Sequence, residues 1–230
     1  MADWNTSNDE ESFFEAPPSR GPVVIQRQKL VIGEGIEEER FFPKLLKFYG
    51  RGINRPNLGD SLQFLNCGGK NRLKGFLSAL VRQADFNGVN SIGIVVDADD
   101  DLRANFQSVI GALESLSLPT PSAPGQPQTL GNLQVVIWVL PDNASQGELE
   151  DLCLEALKNH PLIPCVDSLI SCATSILPDQ TSSSSKAKVY SWLACWEPPG
   201  RRLGELRDEQ LNTWDLSVFQ RLVNGFFLRL

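Results

Sequence analysis

Histidine is nearly missing from this chain: His160 is the only one among 230 residues. The five cysteines, Cys67, Cys153, Cys165, Cys172 and Cys195, are odd in number and form no CxxC pair. A structural zinc site or a disulfide framework is therefore not expected, and reduced thiols in a cytoplasmic protein are the simplest account. Long apolar runs are missing as well. No segment approaches the ~18–20 consecutive apolar residues that a membrane-spanning helix needs. The acidic N-terminal residues lack the apolar region of a secretory signal. Positive charge is in short supply, with 21 Lys and Arg against 28 Asp and Glu, a formal net charge of −7. Residues 1–22 hold Asp3, Asp9, Glu10, Glu11 and Glu15 against Arg20, a net −4, which leaves −3 for the rest. That balance excludes a basic tail or a broad basic face for nucleic acid, though not a local basic patch. GxxxxGK[ST] is absent, so no P-loop nucleotide site is expected.

What is present is an alternation. Residues 1–27 read as a disordered acidic extension. Four apolar runs of strand length follow, at 29–33 (KLVIG), 61–66 (SLQFLN), 91–97 (SIGIVVD) and 134–140 (QVVIWVL), each bounded by Gly, Pro, Asp or Asn. These are marks of strands buried on both faces. Helical spacing follows each of them, over 37–49, 70–84, 101–116 and 146–158. Strand and helix alternating four times predict an α/β fold, a mainly parallel sheet with helices on both faces. The proline-rich 117–131 and the serine-rich 178–188 read as surface loops. Helical spacing returns from Asp215 to Leu230. The chain divides into an α/β domain over 28–165 and a mostly helical C-terminal extension over 166–230, packed on the same domain.

Acidic residues gather where strands end, which is where parallel sheets carry their sites. Glu34 closes the first strand, with Glu38 one turn into the next helix. Asp97, Asp99, Asp100 and Asp101 close the third. Asp142 closes the fourth, followed by Glu150 and Asp151 on a helix. Converging carboxylates repel unless a cation lies between them, and oxygen-only donors suit Mg²⁺ or Mn²⁺. Plainer uses exist for each. Glu37, Glu38 and Glu39 suit a helix N-terminus, and the Asp run can cap a helix or form a turn. Asp142 and Asn143 fit a turn, Glu150 and Asp151 a solvated face, and Cys67-Gly68-Gly69-Lys70 a glycine turn as readily as a phosphate cradle. His160, past a helix end, reads as structural.

Together, "EGIEE" after the first strand and "DAD" after the third resemble the Toprim domain of topoisomerases, primases and OLD-type (overcoming lysogenization defect) nucleases. "FLNCGGKNRLKGFLSAL", "WVLPDNASQGELEDL" and "KAKVYSWLA" are similar to stand-alone Toprim-like proteins related to the OLD nucleases, so the resemblance spans roughly residues 28–200. It implies a Toprim-like, Rossmann-like sheet and metal-assisted phosphoryl transfer. It also implies Glu34 as metal ligand or proton-transfer group, Glu38 as the motif's second acid, Asp97 and Asp99 as metal ligands and Glu150 as a further one. Lys186 or Lys188 would stand near a scissile phosphate, Lys186 being the catalytic candidate. Mg²⁺ or Mn²⁺ is the implied cofactor.

The chain departs from the pattern where a partner would matter. Tyr49 and Tyr190 lie away from the motifs in sequence, so no topoisomerase nucleophile is expected, and no ATPase or zinc module accompanies the domain. A nuclease would need a local basic groove, with Lys70, Arg72 and Lys74 as contacts and Arg82 nearby, or a protein partner supplying DNA binding or ATPase function. The leading expectation is an Mg²⁺-dependent nuclease or nuclease-like component of a prokaryotic defence or repair system. The alternative is a non-enzymatic interaction module whose apolar C-terminal helix docks a partner or a second copy, giving a homodimer. A receiver-like phosphoacceptor fits worse, because the first strand ends in Glu-Gly instead of an acidic pair.

Overall fold

The computed structural model describes residues 23–179, 181–182, 184–200 and 202–230. The expected acidic extension over residues 1–22 lies outside them. Residues 23–27, assigned to that extension from sequence, belong instead to the body. Val23 and Ile25 pack against the core, and the Gln63 side chain bonds the backbone of Val24, Gln26 and Arg27.

All four expected strands form: β1 (Lys29–Gly33), β2 (Leu62–Asn66), β3 (Ser91–Asp97) and, after the short β4 (Gln128–Leu130), β5 (Leu133–Leu140). The sheet order is β2-β1-β3-β5-β4. Its first four strands run parallel, and β4 joins β5 antiparallel. β4 lies within the stretch read as loop. Prolines at 119, 121, 124 and 127 suppress a helix there, but from Gln128 the backbone is free to pair, and Gly131 (φ +61°) turns the hairpin. β2, expected to be buried on both faces, is a half-exposed edge strand.

The helices are α1 (Ile36–Gly52), α2 (Leu73–Leu80), α3 (Leu102–Glu114), α4 (Leu149–Leu157), α5 (Ile163–Ile176), α6 (Ser185–Ala194), α7 (Asp208–Leu211) and α8 (Gln220–Gly225). The helix expected over 70–84 shrinks to α2, flanked by 3₁₀ turns at Lys70–Arg72 and Ala84–Gly88. Alternate residues of each strand face opposite ways. Val31, Val95, Val136 and Trp138 meet α1, α4, α6 and the C-terminal segment, whereas Leu30, Ile32, Ile94 and Ile137 meet α2 and α3. The chain moves outward from β1 to β2, then returns to β3 on β1's other side. The carboxyl ends of β1 and β3 therefore flank the point where the strand order reverses, the usual place for a site in such sheets.

The helical tail is broken, not continuous: a 3₁₀ turn at Leu216–Phe219, α8, and a second 3₁₀ turn at Phe227–Arg229. Its apolar face, expected to dock a partner, is spent inside the molecule, where Phe219, Leu222, Val223, Phe226 and Phe227 are all buried. A Cβ on Gly93 would stand 2.5 Å from Phe226 Cζ, so the centre of β3 needs glycine to admit this tail. Among the described residues no helix is long and apolar enough to cross a membrane.

Candidate functional site

Glu34 leaves the tip of β1 and reaches across to β3, where its Oε1 accepts from the Asp97 amide at 3.1 Å. Glu38 comes back from the first turn of α1, its Oε2 accepting from the Gly35 amide at 2.8 Å. The helix-start role weighed for the acids is therefore real for Glu38, which is only 7% exposed. Gly33 permits that approach, since a Cβ there would lie 2.5 Å from Glu38 Cβ.

Beyond β3 the chain keeps pairing. Asp99, at φ +46°, exchanges backbone bonds with Gly147 (2.9 and 3.0 Å), which clamps the Asp97–Asp99 turn to the loop before α4. Asp97 Oδ1 then accepts from the Leu149 amide at the start of α4, at 3.1 Å. Asp99 turns the other way, with its Oδ2 2.5 Å from Lys70 Nζ. The two aspartates, expected to aim at one point, are thus held by different partners. Asp101 caps α3 through Ala104, and Asp142 bonds the amides of Ala144 and Ser145 as a turn residue. Cys67-Gly68-Gly69 is a turn with both glycines at positive φ, and the Gly69 amide bonds the Glu34 carbonyl at 2.8 Å. Lys70 follows it toward the acids, whereas Arg72 and Lys74 are exposed on the adjoining turn and α2.

Crowding has a titration signature. Burial, then Glu38, Glu34, Glu150 and Asp99 in that order, push the Asp97 carboxyl up to about 8. Glu34 is raised by burial, with Glu38 and Asp99 adding and the Asp97 amide and Lys70 opposing. Lys70 is raised by its bond to Asp99 and by the field of Glu34 and Asp97. Buried Cys67 is pushed to about 11.

Beside this group lies a second one. Glu150 is 3% exposed on α4 and meets Lys186 Nζ at 3.5 Å, while Glu148 meets the same ammonium at 3.6 Å. Lys186 was expected on a flexible loop, but it stands on α6, whose start is capped by Ser184 and tied to α4 by Ser185 donating to Asp151. Burial raises Glu150, and Lys186 opposes it. Lys188 faces elsewhere, 2.6 Å from Asp167 of α5. Sequence reasoning missed two members. Glu148 sits two residues before Glu150, and Tyr190, set aside as distant, is pushed to about 12 by burial and then by Glu37 and Glu150. Helical spacing was the available signal: once α6 exists, Lys186 and Tyr190 are one turn apart on one face. His160 is structural, its Nδ1 accepting from Leu162 N and Trp192 Nε1.

The donor set is all oxygen, which suits Mg²⁺ or Mn²⁺. Among the described residues, no three His, Cys, Asp or Glu side chains converge closely enough, as they stand, to hold an ion. The ammonium of Lys70 supplies the positive charge the acids attract.

A comparison with curated proteins finds no match. A solved structure, the C-terminal region of the Burkholderia pseudomallei OLD protein, is similar at 16% identity and a TM-score of 0.35, over 88% of this chain and 85% of that one. A likeness that slight carries no argument about the site. The family match is extensive, from residue 28 to residue 230, and on it the chain belongs to the protein family of unknown function DUF3226.

Proposed function

We propose that this chain is a Toprim-like protein of metal-dependent phosphoryl transfer, a nuclease or nuclease-like component acting on nucleic-acid phosphodiesters. The observation that carries the reading is the gathering of Glu34, Glu38 and Asp97 at the strand-order reversal, where burial and the neighbouring acids push the Asp97 carboxyl up to about 8. Such a group is poised to exchange its proton for a divalent cation. Glu34, Glu38, Asp97 and Asp99 would hold Mg²⁺ or Mn²⁺, and Glu150 would hold a further ion. A bound ion supplies polarisation of a phosphate oxygen and a more acidic water. Glu34, its own carboxyl raised by burial, suits proton transfer. Lys186, held by Glu148 and Glu150, offers its ammonium to a phosphate. Lys70 does the same once released from Asp99, with Arg72 and Lys74 beside it. The near-balanced body calls for a partner to supply the remaining affinity for nucleic acid.

The second reading, an interaction module without catalysis, draws on the separate partners of Asp97 and Asp99. Isothermal titration of Mg²⁺ and Mn²⁺ into wild type and Asp97→Asn/Asp99→Asn distinguishes them. Saturable binding by wild type alone is expected, followed by metal-dependent cleavage of DNA or RNA. Equal binding by both proteins, or none by either at millimolar metal, overturns the enzymatic reading.

A further inference from the structure

Helix α5 buries a single side chain, Val166, although its sequence, IPCVDSLISCATSI, carries only one charged residue. Leu169 is 58% exposed and Ile176 67%, while Cys165 and Cys172 are exposed free thiols. These four positions step by 4, 3 and 4 residues. At 100° per residue they fall in one narrow stripe, the seam that a second helix fills in knobs-into-holes packing. The occupant is therefore a helix, and the pattern itself says which one. About a two-fold axis midway between Ile170 and Ser171, an antiparallel copy sets Leu169 against Cys172 and Ile176 against Cys165. Each large side chain thus meets a small one, and the same surface serves both partners, as a two-fold contact requires. Charge agrees. The chain is net −7, yet the only charged group of α5, Asp167, is neutralised by Lys188 at 2.6 Å. Two copies therefore meet no net charge along this helix.

We infer that α5 is a homodimer contact, two copies packing α5 against α5 antiparallel along Cys165, Leu169, Cys172 and Ile176. It replaces the C-terminal face expected for that role, which the core consumes. The stripe is roughly 16 Å long at 1.5 Å per residue. A contact made by one such stripe is small, so association is weak, with a Kd of about 10 µM to 1 mM.

Sedimentation velocity of the reduced full chain over that range is expected to show a concentration-dependent dimer. The Leu169→Glu/Ile176→Glu variant, altered only at exposed positions, is expected to stay monomeric with an unchanged circular dichroism spectrum. A monomer at about 1 mM, or a dimer indifferent to the double substitution, overturns the proposal. Orientation has its own test. In a Cys165→Ser/Cys195→Ser background, which removes the other exposed thiols, Leu169→Cys places a thiol opposite Cys172 of the other copy, and diamide, which takes up the two hydrogens, should then link the chains. Adding Cys172→Ser should abolish the link. A link that survives joins Leu169→Cys to itself and overturns the antiparallel arrangement.

Discussion

Asp97 and Glu150 are both acids drawn out of water at the same end of the sheet, and they are treated in opposite ways. Glu150 has an ammonium at 3.5 Å, and Lys186 draws its carboxyl back toward the ordinary range. Asp97 has a backbone amide from Leu149 and four acids around it, while the nearby ammonium of Lys70 is paired with Asp99. Glu150 has an ammonium of its own, whereas Asp97 shares in the field of one that is paired with Asp99. Where a chain leaves an acid uncompensated at a strand-order reversal, the missing charge is the natural object to look for.

The largest test breaks the asymmetry at its source. Below about pH 8 the folded protein keeps Asp97 protonated, whereas the unfolded chain loses that proton near pH 4. The folded state then binds more protons between those values, so stability falls as pH rises from about 4 to about 8, by up to about 5 kcal/mol at about 1.4 kcal/mol per pH unit. Asp97→Asn, which keeps an oxygen for the Leu149 amide, should flatten that slope and be the more stable protein at pH 8. Urea denaturation across pH measures both. A wild-type slope of the opposite sign in that window would sink the assignment.

Next comes Gly33→Ala, whose Cβ collides with Glu38. Overpacking of this kind costs about 1–3 kcal/mol, and pushing Glu38 away should lower the Asp97 pKa, readable by carboxyl NMR titration. A smaller effect is expected on the compensated side. Lys186→Met strands Glu150 and should cost about 1 kcal/mol, a loss that adding Glu150→Gln largely restores. If the double variant is no better than the single, the pair is not coupled. Smallest is Lys70→Met. Its pair with Asp99 is half-exposed, so about 0.5 kcal/mol or less is at stake in stability. Removing the competing ammonium should nevertheless tighten Mn²⁺ binding in a titration.

How much of this could be read beforehand differs by element. The strands β1, β3 and β5 announce themselves as short runs of branched apolar residues, because a strand covered on both faces has no polar side to hide them. Glu34, Asp97 and Asp99 could be found for the same reason: acids are conspicuous where such runs stop. Lys186 was misjudged because four serines read as a flexible run, when Ser184 in fact caps a helix. The tail looked like a docking helix because spacing reports that a face is apolar and is silent on what covers it.

The alternation of the four parallel strands with helices, and the acids at the strand tips, were determined by the sequence alone, since both rest on periodicity and charge within a few residues. Tertiary structure decided the rest, because it rests on distances between segments far apart in the chain. The Asp99–Gly147 bridge turned the two aspartates apart. Lys70 came across 29 residues to Asp99, and Lys186 across 36 to Glu150. The pKa of Asp97 is the clearest case: no neighbour in sequence raises it as much as burial and the acids that folding brings around it.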